Sequence, residues 1–86
     1  HTTATVGSAI GLKARPASIV ADAAAELGIP MTLRLEGRET QRVDATSSME
    51  IVKLGAGPGA SVIVESDDED ANAAIASLIE SDLDEE

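Results

Sequence analysis

Apolar residues recur at helical spacing in two stretches of the chain. The first begins at Pro16, whose missing amide hydrogen is tolerated in the first turn of a helix, and ends at Gly28. The second follows Ser66, which fits a capping box with Glu69, and we expect residues 82–86 beyond it to fray. The predicted buried faces are Ile19, Val20, Ala23, Ala24 and Leu27 in the first helix and Ala71, Ala74, Ile75, Leu78 and Ile79 in the second.

The remaining apolar positions predict four strands and one short helix. Alternation predicts strands over residues 4–9 and 31–36, a weaker pattern predicts a returning strand over 40–43, and a continuous apolar run predicts a strand over 60–64. A short helix is expected over 47–54. This order of strand, helix, two strands, helix, strand and helix indicates the α+β class, in which helices cover one face of a four-stranded sheet.

The composition excludes several classes of site for such a fold. The chain has 86 residues, which predicts a single domain over 1–86, and it contains no cysteine, so disulfides and thiolate metal sites are excluded. No apolar run approaches the roughly 18 residues of a membrane span, and we expect a cytoplasmic protein. The acidic residues 67–70 are consecutive rather than spaced like a calcium-binding loop, so we expect no metal site and no cofactor.

The charge is distributed unevenly along the chain. The net charge is -10, yet residues 1–64 carry six basic and six acidic side chains, so the whole excess lies after residue 64. An acidic tail repels polyanions, and there is no aromatic residue to stack on a base, so nucleic acid is not an expected partner. The basic part of the chain can instead meet an acidic protein, although a solvated acidic helix is the simpler interpretation of the tail. We expect a monomer, because no heptad pattern or long apolar edge stripe is present.

The hexapeptide Gly-Leu-Lys-Ala-Arg-Pro at residues 11–16 places two cationic side chains at the turn between the first strand and the first helix. The backbone amides of Ala14 and Arg15 are expected at the helix N-terminus, where unpaired amides and the helix dipole favour an anion. The guanidinium of Arg15 presents planar, paired donors that suit phosphate, although a solvated arginine is the simpler alternative. The sequence therefore predicts an anion site at this turn.

This hexapeptide resembles the active-site loop of HPr, the phosphocarrier family of the bacterial sugar phosphotransferase system, in which it reads Gly-Leu-His-Ala-Arg-Pro. Residues 44–49 and 54–56 also resemble the segment around the second helix of HPr. The resemblance implies an open-faced sandwich in which three helices pack on one face of a four-stranded antiparallel sheet. It also implies a phosphoryl relay from Enzyme I to sugar-specific acceptor domains, and it allows a transcription regulator as a further partner.

The resemblance places Lys13 at the position of the phospho-acceptor histidine. A free imidazole has a pKa of about 6.5 and keeps a lone pair at neutral pH, whereas a free lysine amine has a pKa of about 10.4 and is almost entirely protonated. Three roles of Lys13 are then open. It is a surface residue of a protein that no longer carries phosphate or whose acceptor was replaced, or it is a cation that still docks on partners. The third role is that of a working lysine acceptor. We expect a carrier protein rather than a self-contained enzyme. The alternative is a regulatory binding module like Crh that has no carrier activity.

The predicted short helix contributes a regulatory residue and a docking face through the same resemblance. Ser47 lies where many HPr proteins carry a regulatory serine, and its alternative role is the N-cap of the helix. We expect Ile51 and Leu54 to face the core, which leaves Met49 and Val52 partly exposed. The partner-binding patch of the family corresponds here to Ser48, Met49, Val52 and Lys53.

Overall fold

Seven elements follow one another along the computed structural model, which describes residues 1–38 and 40–81. The strands are β1 (Thr2–Thr5), β2 (Thr32–Leu35), β3 (Val43–Asp44) and β4 (Ser61–Glu65), and the helices are α1 (Ala14–Leu27), α2 (Ser48–Leu54) and α3 (Glu69–Glu80). The strands and helices follow one another in the order that the sequence predicts. The fraying expected for residues 82–86 lies outside the described residues.

The four strands form one antiparallel sheet in the order β1-β4-β2-β3. Strand β4 lies between β1 and β2, so that Val62 is opposite Ala4 on one side and Val64 is opposite Leu33 on the other. These four side chains are fully buried and join the apolar cluster that the helices complete. Ile63 alternates with them and lies on the other face of the sheet. The predicted α+β open-faced sandwich is confirmed, with three helices and a four-stranded antiparallel sheet.

The first strand ends earlier than its sequence pattern indicates. Alternation predicts a strand over residues 4–9, but β1 stops at Thr5. The amide of Gly7 donates a hydrogen bond of 3.1 Å to the carbonyl of Ile79 in α3. A Cβ at Gly7 would clash with the carbonyl oxygen of Glu80, so only glycine permits this approach. The chain therefore leaves the sheet to contact the last turn of α3.

The returning strand of the hairpin is also shorter and later than predicted. The pattern predicts a strand over residues 40–43, whereas β3 consists of Val43 and Asp44 alone. The amide of Arg38 bonds to the carbonyl of Leu35, and the amide of Gln41 bonds to the carbonyl of Arg38. The loop thus satisfies these backbone groups internally, and pairing with β2 begins only at Val43.

Helix α1 begins two residues before its predicted start at Pro16. Its N-cap is Lys13, and Pro16 lies in the first turn, where an amide hydrogen has no intrahelical partner. The helix ends as predicted at Gly28, which adopts φ 70. The fully buried face comprises Pro16, Ala17, Val20, Ala21 and Ala24. Of the predicted face, Ile19 and Ala23 are half-buried, and the prediction is wrong at Leu27, which is exposed.

Helix α3 has a different N-cap from the one that the sequence indicates. The carboxylate of Asp68 accepts hydrogen bonds from the amides of Asp70 at 3.0 Å and Ala71 at 3.2 Å, so Asp68 is the cap. The predicted capping box of Ser66 and Glu69 is wrong. An aspartate with two acidic neighbours in the first turn suits the positive end of the helix dipole equally well.

One polar side chain lies on the buried face of α3. Asn72 is fully buried and accepts a hydrogen bond of 2.5 Å from the hydroxyl of Ser66. Its amide nitrogen donates to the Ser66 carbonyl at 3.4 Å. Because the carboxamide is paired, its burial does not leave an unsatisfied group. The predicted residues Ala71, Ile75 and Ile79 are buried, Leu78 is half-buried, and the prediction is wrong at Ala74, which is exposed.

Candidate functional site

The turn that carries the hexapeptide is held against the loop that follows α2. The amide of Leu12 donates a hydrogen bond of 2.9 Å to the carbonyl of Ala56, and both residues are almost completely buried. The amide of Lys13 donates to the carbonyl of Gly11 at 3.0 Å. The backbone before Lys13 is therefore fixed by a buried residue and by contacts to a second loop.

Gly11 makes this contact possible. Its φ of 83 lies in the left-handed region, and a Cβ at this position would lie 2.5 Å from the carbonyl oxygen of Ala56. Any other residue would meet both a steric clash and an unfavourable backbone conformation. Gly11 thus sets how closely the two loops pack.

Lys13 stands at the N-cap of α1 with an extended backbone, φ -129 and ψ 159. Its side chain is exposed and makes no capping hydrogen bond. Ala14 and Arg15 are the first two residues of the helix, so the structure places their amides at the N-terminus, where the sequence predicts them. Arg15, two residues further along the chain, is also exposed. The arrangement presents two cationic side chains to solvent at the positive end of a 14-residue helix.

Ala14 has a backbone conformation that alanine seldom adopts. Its φ is 46, in the left-handed region, where an L side chain approaches the following carbonyl group. Residues in such conformations cost of order 1–3 kcal/mol and are retained where the surroundings over-determine them. The strain therefore lies directly beside Lys13, at the point where the extended turn becomes a helix.

A groove of about 400 Å³ opens between the start of α1 and α2. Met49 and Val52 contribute apolar side chains that are 72% and 41% exposed, in agreement with the predicted partial exposure. Ile51, on the opposite side of α2, is fully buried, as predicted, and Leu54 is half-buried. The residues that line the groove are Ala14, Ser18, Ser48, Met49, Val52 and Lys53.

The groove brings together residues that lie far apart in the sequence. All four residues predicted as a partner-binding patch line it, together with Ala14 from the predicted anion site. Ser18 also lines the groove, although no prediction from the sequence assigned this residue to a site. The available signal was its spacing of four residues from Ala14, which puts both on one face of α1.

Ser47 lies at the start of α2 and does not line the groove. Its hydroxyl oxygen accepts a hydrogen bond of 3.3 Å from the amide of Glu50, so it is the N-cap that the sequence allowed. The carboxylate of Glu50 reaches back to the amide of Asp44 at 3.0 Å. Hydrogen bonds from the amide and the hydroxyl of Thr46 hold the pKa of the Asp44 carboxyl below its usual value. These bonds tie the end of β3 to the first turn of α2.

A cluster of opposite charges outside the groove links β2 and β4 to the loop residue that precedes β3. The guanidinium of Arg42 donates a hydrogen bond of 2.9 Å to the carboxylate of Glu65, and Arg34 donates to the same oxygen at 3.3 Å. The bond from Arg42, followed by the attraction of its charge and by the bond from Arg34, lowers the pKa of Glu65 against the opposing effect of burial. The cluster therefore connects the end of β4 to β2 and to the residue that precedes β3.

Two other classes of site have no support among the residues that the structure describes. Within 1–38 and 40–81, no group of three or more histidine, aspartate or glutamate side chains is arranged to hold a metal ion. None of the helices described is both long enough and apolar enough for a bilayer crossing.

Comparison with known proteins identifies relatives of the whole fold. The family described as "PTS HPr component phosphorylation site" matches residues 1–81. The phosphocarrier protein HPr of Streptomyces coelicolor is 42% identical over 74 residues, which are 85% of this chain and 76% of that protein.

Two solved structures have the same fold. The phosphocarrier protein HPr from Bacillus anthracis strain Ames has a TM-score of 0.77 and 28% identity, and the match covers 91% of this chain and 93% of that one. The protein HPr-C-His from Thermoanaerobacter tengcongensis also has a TM-score of 0.77, with 31% identity over 99% of this chain and 96% of that one.

Proposed function

Because the chain belongs to the HPr family of phosphocarrier proteins of the phosphotransferase system, we propose that Lys13 occupies the position of the family's phospho-acceptor histidine. On this proposal the protein docks on Enzyme I and on sugar-specific acceptor domains. It does not take up the phosphoryl group in the ordinary way, because its acceptor position carries an ammonium group.

The observation that supports the proposal most is the place of Lys13 at the N-cap of α1. Leu12 and Gly11 fix the backbone before it, Arg15 follows in the first helical turn, and its own side chain extends into solvent. A nucleophile at this position would be accessible to a phosphorylated partner. Helix amides and a guanidinium would stand beside the transferred group and neutralise its charge.

The chemistry of lysine explains why transfer should fail. Phosphoryl transfer to a ring nitrogen breaks the bond between phosphorus and the donor nitrogen and forms a new one to the acceptor lone pair. A lysine ammonium has three N–H donors and no lone pair, so it can attract the phosphoryl oxygens but cannot attack the phosphorus. The side chain of Lys13 is exposed. The protein is therefore expected to bind the phosphorylated partner without accepting its group.

The groove supplies the docking surface of this proposal. Met49 and Val52 are more exposed than the other apolar residues of α2, and a methionine adapts to partners of different shape. Lys53 adds a positive charge on the same helix. A partner with an apolar side chain and carboxylates would be matched by these residues, in the weak and rapid encounters that a shuttle requires.

The alternative function is a regulatory binding module like Crh, which would have no carrier activity. Two features favour it: the acceptor position carries a lysine, and Ser47 presents a hydroxyl at the start of α2. In this case docking would serve a regulator rather than a relay. The two functions differ in whether restoring a histidine at position 13 restores phosphate uptake.

The deciding experiment is intact-mass spectrometry after incubation with phosphoenolpyruvate and Enzyme I. We expect the unmodified chain to gain no phosphate and Lys13→His to gain one. Lys53→His is the matched control, because it places an imidazole in the groove of the proposed docking surface but not at the N-cap of α1. It should gain none. Fragmentation of the labelled chain locates the phosphoryl group. It distinguishes a label at position 13 from one on His1, the only histidine of the unmodified chain.

The other outcomes are equally informative. A phosphate on the unmodified chain at Lys13 would refute the claim that lysine blocks transfer. If Lys13→His gains none, the carrier assignment of this surface fails, and calorimetric titration with Enzyme I then tests the binding-module alternative. We also propose that the protein acts as a single-domain monomer in the cytoplasm, and a sedimentation mass near 8.7 kDa that is independent of concentration would support the monomer.

A further inference from the structure

Carboxylates greatly outnumber basic side chains on this protein. There are sixteen of the former and six of the latter, so ten carboxylates remain even if every basic side chain pairs with a separate acid. Among the described residues, every aspartate and glutamate except Glu65 is exposed. The surface therefore carries an excess of negative charge that its own cations cannot neutralise.

The acidic side chains are also close to one another. Residues 65–70 contain five carboxylates in six positions, at the end of β4 and the start of α3. On α1, Asp22 and Glu26 are four residues apart and lie on one face of the helix, where like charges are destabilising. The described chain has extents of only 30 × 27 × 20 Å. At 0.1 M salt, with a Debye length of about 10 Å, many of these charges repel one another.

The core provides little stability to oppose this repulsion. Eight of the nineteen buried apolar residues described are alanine, and the chain contains no aromatic residue. An alanine side chain buries much less apolar area than a leucine or phenylalanine, so it contributes correspondingly less. A domain of this size has a small stability margin even without charge repulsion.

From these observations we infer that the fold requires high salt, and that molar monovalent salt stabilises it by screening the repulsion between its exposed carboxylates. At about 1 M salt the Debye length falls to about 3 Å, which is shorter than the separation of neighbouring charges on a helix face. Repulsion then ceases to oppose the compact state, while the apolar core is retained. The inference concerns the whole chain and does not depend on the proposed role of Lys13.

Thermal unfolding by far-UV circular dichroism tests this inference, since the chain lacks the aromatic residues that fluorescence requires. We expect the Tm of the intact chain to rise by at least about 10 °C between about 0.05 M and about 2 M KCl. Partial unfolding at the lower concentration, reversed by adding salt, would be the same effect in a stronger form. A Tm that is independent of salt would refute the inference.

A charge variant separates screening from other effects of salt. The triple change Asp22→Asn, Glu26→Gln and Asp67→Asn alters exposed side chains and reduces the net charge from -10 to -7. Because the repulsion within a compact charged molecule scales roughly with the square of its net charge, the rise in Tm with salt should fall to about half. The variant should also be more stable than the parent in low salt.

The matched control keeps the charge and changes the same positions, as Asp22→Glu, Glu26→Asp and Asp67→Glu. It should retain the full salt dependence of the parent. Sucrose stabilises proteins by exclusion from their surface and does not screen charge, so it should raise the Tm of all three chains equally. If salt raises the Tm of the amide variant as much as that of the parent, salt acts through the apolar core and the inference is wrong.

Discussion

Gly11 is the residue at which the fold and the candidate site depend on one another most directly, and Gly11→Ala tests this dependence. The substitution adds a single methyl group at a position with φ 83, and the new Cβ would lie 2.5 Å from the carbonyl oxygen of Ala56. That oxygen accepts the hydrogen bond from Leu12. The methyl group must therefore push the two loops apart at the bond that holds the turn before Lys13.

The magnitude follows from two separate effects. The left-handed conformation costs an alanine roughly 1–2 kcal/mol relative to glycine. Separating the loops weakens the bond between Leu12 and Ala56, both of which are buried, and an unsatisfied buried amide or carbonyl costs about 1–3 kcal/mol. We expect a total destabilisation of about 2–5 kcal/mol. In thermal unfolding this corresponds to a loss of about 4–8 °C of Tm for each kcal/mol.

Gly37→Ala is a control that isolates the first effect. Gly37 has a similar φ of 87, but no atom of residues 1–38 or 40–81 outside its chain neighbours lies within 4 Å of the position that a Cβ would take. It should therefore lose only the roughly 1–2 kcal/mol of the backbone conformation. Urea unfolding followed by circular dichroism, at one fixed salt concentration, gives both free energies. If the two variants agree within about 0.5 kcal/mol, the loop contact does not carry the energy assigned to it.

Three further substitutions test other parts of the structure. Ala14→Gly should raise the free energy of unfolding by about 1 kcal/mol, because glycine adopts φ 46 without strain. A lower free energy of unfolding in urea would show that Ala14 is not strained. Ser47→Ala should lose about 1 kcal/mol in the same assay, because it removes the cap on the Glu50 amide, and an unchanged midpoint would exclude that role. Arg42 holds the pKa of Glu65 below its ordinary value, so their interaction stabilises the fold above that value and is lost as the pH falls through the lowered pKa. Glu65→Gln should therefore be less stable than the parent at about pH 7 and approach it as the pH falls through the lowered pKa of Glu65, whereas parallel curves of unfolding free energy against pH would show that the pair contributes nothing.

Much of the fold could be predicted because its elements have local signals. Helices α1 and α3 follow from their apolar spacing, and the glycine at position 28 marks one end. The error in the first strand occurred where a contact between distant segments decides the local structure. Strand β1 ends at Thr5 because Gly7 contacts the last turn of α3, and no pattern within residues 4–9 contains this information.

The candidate site was predictable in its residues but not in its geometry. The hexapeptide and the exposed side chains of α2 are visible in the sequence, and the groove brings Ala14 of the hexapeptide together with them. Lys13 and Arg15 are not among the residues that line it. The left-handed backbone at Ala14 gives no sequence signal, since alanine is not a residue that favours it. The close approach of Gly11 to Ala56 depends on a second loop 45 residues further along, so composition and spacing could not predict it.

The contacts of Lys13 also decide how the histidine substitution can be interpreted. Its backbone is fixed by Gly11 and Leu12, while its side chain is exposed and contributes no cap to α1. The fold therefore depends on the conformation at position 13 but not on the side chain that stands there. We expect Lys13→His to unfold within about 0.5 kcal/mol of the parent, as exposed substitutions usually do. A change in phosphate uptake at equal stability can then be assigned to the chemistry of the side chain, whereas a larger loss of stability would show that the lysine also supports the turn.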